Sequence, residues 1–250
     1  MLRNSFTLTF QYAKIIAPQI KHFVFSASQA IHFIPGQFIT LHFPQADTLL
    51  RRSYSLANRD SGDIHTLELA ASYIPNGIAS ERLFNMQAGD QIEAMGAFGR
   101  FTLREEPIHR YLLIATGTGI TPYRAMLNQL AQYMQSNPQL RVILLFGVRH
   151  LEDVLYREEF IAFAKDHAQF ELRIHYSRAS EFTLPYEYSG YVTESLKHSI
   201  QIDPLQDVAY LCGNPNMVDD SFKILTEKQL PRDRIRREPY ISPKLPTNKR

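Results

Sequence analysis

Apolar and polar residues alternate two by two through the first hundred or so positions. The pattern then changes to apolar runs separated by segments of helical spacing. Phe6-Thr7-Leu8-Thr9-Phe10 and His22-Phe23-Val24-Phe25-Ser26 alternate, as half-buried strands do. Ile34-Pro35-Gly36-Gln37-Phe38 is a turn into a third strand over residues 38–43, and Arg51-Arg52-Ser53-Tyr54-Ser55-Leu56 supplies a fourth. His65–Ala70 is a fifth, and Gln91–Met95, entered through Gly89-Asp90, a sixth. Short strands at this spacing predict a closed or nearly closed antiparallel barrel. A helix over residues 81–86 interrupts it, and Gly96-Ala97-Phe98-Gly99 predicts a tight closing turn with its ring tucked inward.

A charged segment ending in Pro107 marks the boundary of two domains, 1–106 and 107–250. From Tyr111 the grammar is strand, helix, strand, which predicts a parallel α/β sheet. Tyr111–Ala115 is continuously apolar, as a strand buried on both faces is, and a helix over residues 123–134 follows. Further strands are predicted at 141–147, 170–175 and 208–212, with helices at 157–165 and 216–228. The last ten residues, rich in proline and basic side chains, read as an extended tail.

Composition changes this picture little. The 250 residues are 44% hydrophobic and 21% charged with a net charge of +2, too weakly basic for a nucleic-acid partner. One cysteine, Cys212, excludes a cluster or structural zinc site built on this chain's thiolates. No apolar run approaches the length of a membrane span, and no export signal opens the chain. A cytoplasmic monomer is the expectation.

Several stretches could carry chemistry. In a strand, Arg52 and Tyr54 share one face and Ser53 and Ser55 the other. That pair suits a ligand anionic at one end and flat at the other, or is an ordinary decorated strand. Gly77-Ile78-Ala79-Ser80 opens a helix and could cradle a phosphate, or simply cap it. Gly117-Thr118-Gly119-Ile120-Thr121-Pro122 joins a buried strand to a helix, the geometry that offers backbone N–H groups to a pyrophosphate. Ser177 and Arg178 lie past the end of a parallel strand, where a guanidinium can meet a 2′-phosphate. Cys212-Gly213-Asn214-Pro215 ends another strand on the same edge; there Cys212 is either a small buried hydrophobe or a lining of the cleft.

Taken in order, Pro35–Phe38, Arg52–Ser55, Gly77–Ser80, Gly96–Gly99, Gly117–Pro122, Cys212–Pro215 and Glu238-Pro239-Tyr240 resemble the ferredoxin–NADP reductase family of flavoproteins nearly end to end. The resemblance implies FAD on the barrel and NADP(H) on the α/β domain. It implies that Arg52 meets the flavin pyrophosphate and Tyr54 stacks on the ring, with Ser53 beside them and Ser55 near the reacting nitrogen. Gly77, Ile78, Ala79 and Ser80 would face the flavin phosphates. Gly117, Thr118, Gly119, Thr121, Pro122, Arg149 and Gly213 would seat the pyridine nucleotide, with Ser177 and Arg178 on its 2′-phosphate. Ser55, Cys212, Glu238 and Tyr240 would be catalytic, Tyr240 covering the other flavin face. The implied activity is electron exchange between NADPH and an acidic ferredoxin or flavodoxin. Arg51, Arg149, Lys223, Arg232, Arg234, Arg236 and Arg237 are candidates for its docking rim. An oxygenase reductase whose Fe–S centre is on another chain, a free flavin or quinone reductase, and a non-catalytic flavin-binding subunit are the competing readings.

Overall fold

The structure is a computed structural model that describes residues 5–46, 48–104, 108–179 and 183–240. The first half is a six-stranded antiparallel sheet of β1 (Ser5–Ala17), β2 (Ile20–Phe33), β3 (Phe38–Pro44), β4 (Leu49–Ser55), β5 (Gly62–Ser72) and β6 (Gln91–Phe98). Its order is β4-β3-β6-β1-β2-β5, and a single Leu56–Leu69 bridge brings the two edges together. The result is the nearly closed barrel that alternation predicts. Phe6, Leu8, Ile39, Leu41, Phe43, Leu67, Leu69 and Ile92 point inward and are buried. A short helix, α1 (Ile78–Phe84), inserts Ala79 and Leu83 into the same core.

Two features differ from expectation. β1 and β2 run past Phe10 as a long hairpin, pairing Ala13 with Phe23 and Ala17 with Ile20. Gln11, Tyr12 and Ile15 on this arm are exposed, so the inside–outside rhythm used to find β1 is lost there. The arm's tip is held by the other domain instead: Ile16, Ala17 and Ile20 pack into its core. Gly96-Ala97-Phe98, read as a turn, is the end of β6. There the β3–β6 register slips by one residue, Phe38 opposing Phe98 and Ile39 opposing Gly96. Such a bulge re-aims the strand, and the Phe98 ring meets Phe38 edge to face, half-buried rather than tucked inside.

The second half is an all-parallel sheet in the order β10-β9-β8-β7-β11-β12. It comprises β7 (Arg110–Thr116), β8 (Arg141–Val148), β9 (Phe170–Tyr176), β10 (Glu187–Ser189), β11 (Asp207–Gly213) and β12 (Ile235–Pro239). Helices α2 (Thr121–Ser136), α3 (Arg157–Asp166), α4 (Val192–His198) and α5 (Pro215–Glu227) cover it, with one apolar core on each face. β10, α4 and β12 are additions to the elements read from sequence. In β12, Ile235-Arg236-Arg237-Glu238-Pro239, only Ile235 is buried, so this edge strand has no hydrophobic signature. The predicted boundary at 106 and the tail from 241 onward lie outside the described residues. Among the described residues no helix is long and apolar enough to cross a membrane.

Candidate active site

β4 is paired only to β3 along most of its length, with Leu41 opposite Arg52 and Ile39 opposite Tyr54. Cross-strand partners share a face, so Arg52 and Tyr54 lie on one side of the strand, as the sequence period requires. The Tyr54 ring is half-buried against the barrel core. Burial raises its phenol to about 12, with the Arg52 charge pulling the other way. The guanidinium of Arg52 donates to the Arg51 carbonyl at 2.8 Å. On the other face, exposed Ser53 pairs with Thr40 at 3.1 Å, while Ser55 is buried. The strand's exit is fastened on two sides: Leu56 N–H donates to Gln37 O and Ala57 N–H to Glu68 O.

Ser55 is where the two halves meet. Its hydroxyl donates to the Glu238 carboxylate at 3.1 Å and lies 2.6 Å from the Tyr240 hydroxyl. Parallel pairing of β11 with β12 sets Cys212 beside Glu238 and Gly213 beside Pro239, and Tyr240 N–H donates to Gly213 O at 2.7 Å. All four residues expected to be catalytic therefore converge, although 183 positions separate Ser55 from Glu238. Burial raises the Glu238 carboxyl, against the Ser55 hydrogen bond. Burial, and then the Glu238 charge, push the fully buried Cys212 thiol well up. Cys212 therefore stays a thiol, which excludes it as a resting thiolate nucleophile. Tyr240 is raised by burial, Cys212 and Glu238, and keeps its proton. The cluster is a half-buried carboxyl with three hydroxyl or thiol neighbours, able to hold a proton close to a reacting atom.

The glycine loops divide into packing and open positions. At the end of β7, Gly117–Ile120 forms a 3₁₀ turn that leads straight into α2, with Pro122 in its first turn. Gly117, at φ 53, has open space where a side chain would start. Gly119 and Gly213 do the opposite: a Cβ on Gly119 would run into the Cys212 carbonyl, and one on Gly213 would sit 2.5 Å from Thr116 O. Asn214 N–H donates to the Thr116 hydroxyl at 2.9 Å, so the two loops lock together. Thr121 spends its hydroxyl on Thr118 O, and both it and Pro122 are buried. Of this motif, Gly117 and Thr118 reach the surface while Gly119, Thr121 and Pro122 are interior.

Gly77 precedes α1, whose first N–H groups have no acceptor within the helix; Ile78 is exposed and Ala79 buried. The Ser80 hydroxyl fastens the loop before α1. It accepts from Ile74 N–H and has both Ile74 O and Gly77 O, each at 2.9 Å, within reach of its one proton. At the carboxyl edge of β8 and β9, Arg178 N–H donates to Arg149 O at 3.0 Å, placing two exposed arginines side by side. Ser177 uses its hydroxyl on Val148 O at 3.3 Å. The basic rim is partly spent internally: Arg237 lies over the Phe222 ring and toward Asp219, Lys223 faces Glu227, and Arg234 donates to Asp207 O. Sequence reasoning missed the contacts that join the halves, among them Arg124 of α2 bonded to Ala57 O and Glu68. No local pattern marks them, because the partners are 67 and 56 positions away.

An aromatic–guanidinium pair on an incompletely paired strand suits a flavin nucleotide. An open glycine turn where β7 is flanked by β8 and β11, beside two arginines, suits a pyridine nucleotide. This fold and donor set define a two-domain oxidoreductase class. Residues 7–103 match the oxidoreductase FAD-binding domain family and residues 113–223 the oxidoreductase NAD-binding domain family. The chain belongs to the ferredoxin–NADP reductase family of flavoproteins. It is 27% identical over 234 residues to the phenol hydroxylase P5 protein of Acinetobacter pittii, covering 92% of this chain and 64% of that protein. To ferredoxin–NADP reductase B of Sorangium cellulosum it is 30% identical over 163 residues, covering 64% of this chain and 65% of that protein. The chain thus spans about three fifths of the length of the curated relatives it matches. A ferredoxin NADP+ reductase from Neisseria gonorrhoeae, solved with FAD and NADP, superposes with a TM-score of 0.81 at 25% identity, over 94% of this chain and 98% of that one. An Amycolatopsis cytochrome P450 reductase gives 0.81 at 27%, over 94% and 69%.

Proposed function

We propose that the protein is an FAD-carrying reductase that draws electrons from NADPH and passes them to a small one-electron carrier, a ferredoxin or flavodoxin. The observation that carries this reading is the meeting of Ser55 from the barrel with Glu238 and Tyr240 from the sheet. Residues on this edge would hold a flavin, which when bound would supply two-electron acceptance from a reduced nicotinamide and one-electron release to a carrier. In this reading Arg52 and the backbone of Gly77, Ile78, Ala79 and Ser80 hold the flavin phosphates. Tyr54 lies along the ring, with Ser53 at the strand's outer edge. Gly117 and Thr118 present backbone to the nucleotide pyrophosphate, and Gly119, Thr121, Pro122 and Gly213 give that turn its shape. Arg149 and Arg178, with Ser177 beside Arg178 in the chain, favour a 2′-phosphate over a 2′-hydroxyl. Ser55, Cys212, Glu238 and Tyr240 order the reacting edge, where burial raises the Glu238 carboxyl above the ordinary carboxylate range. Tyr240, bonded to Ser55, must give way for a nicotinamide to approach.

The names of several relatives favour a second reading. Among them are the propane 2-monooxygenase reductase component of Mycolicibacterium smegmatis and the toluate 1,2-dioxygenase electron transfer component of Pseudomonas putida. In that reading the chain feeds an oxygenase whose Fe–S centre is on another polypeptide. Anaerobic mixing with NADPH tests the shared core: the purified protein should be yellow and bleach. A protein that takes up no flavin ends both readings. Turnover with an isolated ferredoxin or flavodoxin, against turnover only with an oxygenase component, separates them.

A further inference from the structure

A half-buried charged cluster centred on Arg124 also joins the two halves. Its side chain is 13% exposed. Nη1 donates to Ala57 O and to Glu68 Oε2 of β5, both at 2.6 Å, and Nε donates to Glu159 Oε2 of α3 at 2.9 Å. The guanidinium lies 4.8 Å over the ring of Tyr156, whose hydroxyl is 2.9 Å from His22 Nδ1 of β2. His22 Nε2 closes the circuit to Glu68 at 3.4 Å. Three of the partners, His22, Ala57 and Glu68, belong to the barrel half; Glu159 and Tyr156 belong to the sheet half. Tyr156 holds a φ of 55, the left-handed region that a bulky side chain avoids. The ring's bonds to His22 and its stacking on Arg124 offset that cost.

Placement in the chain gives the cluster its meaning. Ala57 is two residues beyond Ser55. Arg124 is one turn beyond Thr121, about 4.5 Å along the helix axis, at the end of the glycine turn. One side chain therefore ties the exit of β4 to the first turn of α2. We infer that Arg124 is a positioning residue: it sets the alignment of the two cofactor-bearing halves that brings Glu238 and Tyr240 onto Ser55. This rests on the reading proposed above. Arginine suits the task because its fork serves the carbonyl and both carboxylates at once, which a lysine ammonium cannot do from one fixed plane. Without it, Glu68 and Glu159 would both lose their shared guanidinium partner.

The test compares Arg124→Met, Arg124→Lys and Glu68→Gln in the flavin-loaded full chain. Alignment is read without turnover by placing spin labels on Gln29→Cys in the barrel half and Ser199→Cys in the sheet half, both exposed. The buried Cys212 does not compete for label. In Arg124→Met the interspin distance distribution should broaden. Its anaerobic bleaching by NADPH should slow about tenfold or more, because a misplacement of 1 Å can cost about a hundredfold, while flavin retention and NADPH affinity stay within about twofold. Arg124→Lys should fall between Met and wild type. Unchanged distances and an unchanged bleaching rate in Arg124→Met overturn the inference. If that variant does not fold, Glu68→Gln, which keeps an acceptor and removes one charge, is read by the same two criteria. A wild type that NADPH cannot bleach defeats the proposed function and leaves the distance arm standing as the test of Arg124.

Discussion

Protonating Glu68 should loosen the join between the halves, and the structure sets its size. Burial alone would raise this carboxyl. The hydrogen bonds from His22 and Arg124, and then their charges, outweigh it and bring the carboxyl from the ordinary 4.5 down to about 2. The folded-state pKa is depressed, so the stabilisation is complete above pH 4.5 and disappears as pH falls through 4.5 toward about 2. At about 1.4 kcal/mol per pH unit, about 2 kcal/mol is lost between pH 7 and pH 3. The groups facing the carboxylate are Arg124 and His22, with Glu159 and Tyr156 beyond the guanidinium. Urea unfolding followed by circular dichroism, at a series of pH values for wild type and Glu68→Gln, isolates this group from the other acids. Glutamine cannot titrate, so the stability gap between the two proteins should narrow by about 2 kcal/mol from pH 7 to pH 3. A gap that stays constant across that range refutes the linkage of Glu68 to Arg124 and His22.

Two further outcomes bear on the nucleotide side. Arg178→Ala should raise the KM for NADPH about tenfold and leave that for NADH nearly unchanged, the loss of one charge-assisted contact; steady-state assays with both nucleotides decide it. Gly213→Ala should lower the melting temperature and weaken nucleotide binding, because its φ of 125 is strained for alanine and the new Cβ would meet Thr116 O; thermal melts with and without NADP+ measure both.

Local patterns were informative wherever burial imposes a period. Phe6–Phe10 and Phe38–Phe43 alternate because one face of a barrel strand is inside, and Tyr111–Ala115 is uniformly apolar because β7 is buried on both sides. Glycine loops showed themselves through backbone demands, and that is why Gly117 and Gly213 could be found. β12 could not be found by such means, since an edge strand of arginines and a glutamate has one buried residue. Nor could the hydrogen bonds of the Ser80 hydroxyl to the backbone of Ile74.

The sequence by itself determined the two kinds of sheet, their order along the chain and most of the residues that line the candidate site. Tertiary structure alone decided that Ser55 touches Glu238 and Tyr240, that Cys212 is a fully buried thiol, and that Arg124 clasps Ala57 and Glu68. The division has a physical cause. Periodicity and turn chemistry report each residue's exchange of water for its own element's interior. Contacts between domains depend on where two independently built surfaces come to rest, and a charged side chain pairing across that seam has the same local signature as one facing solvent.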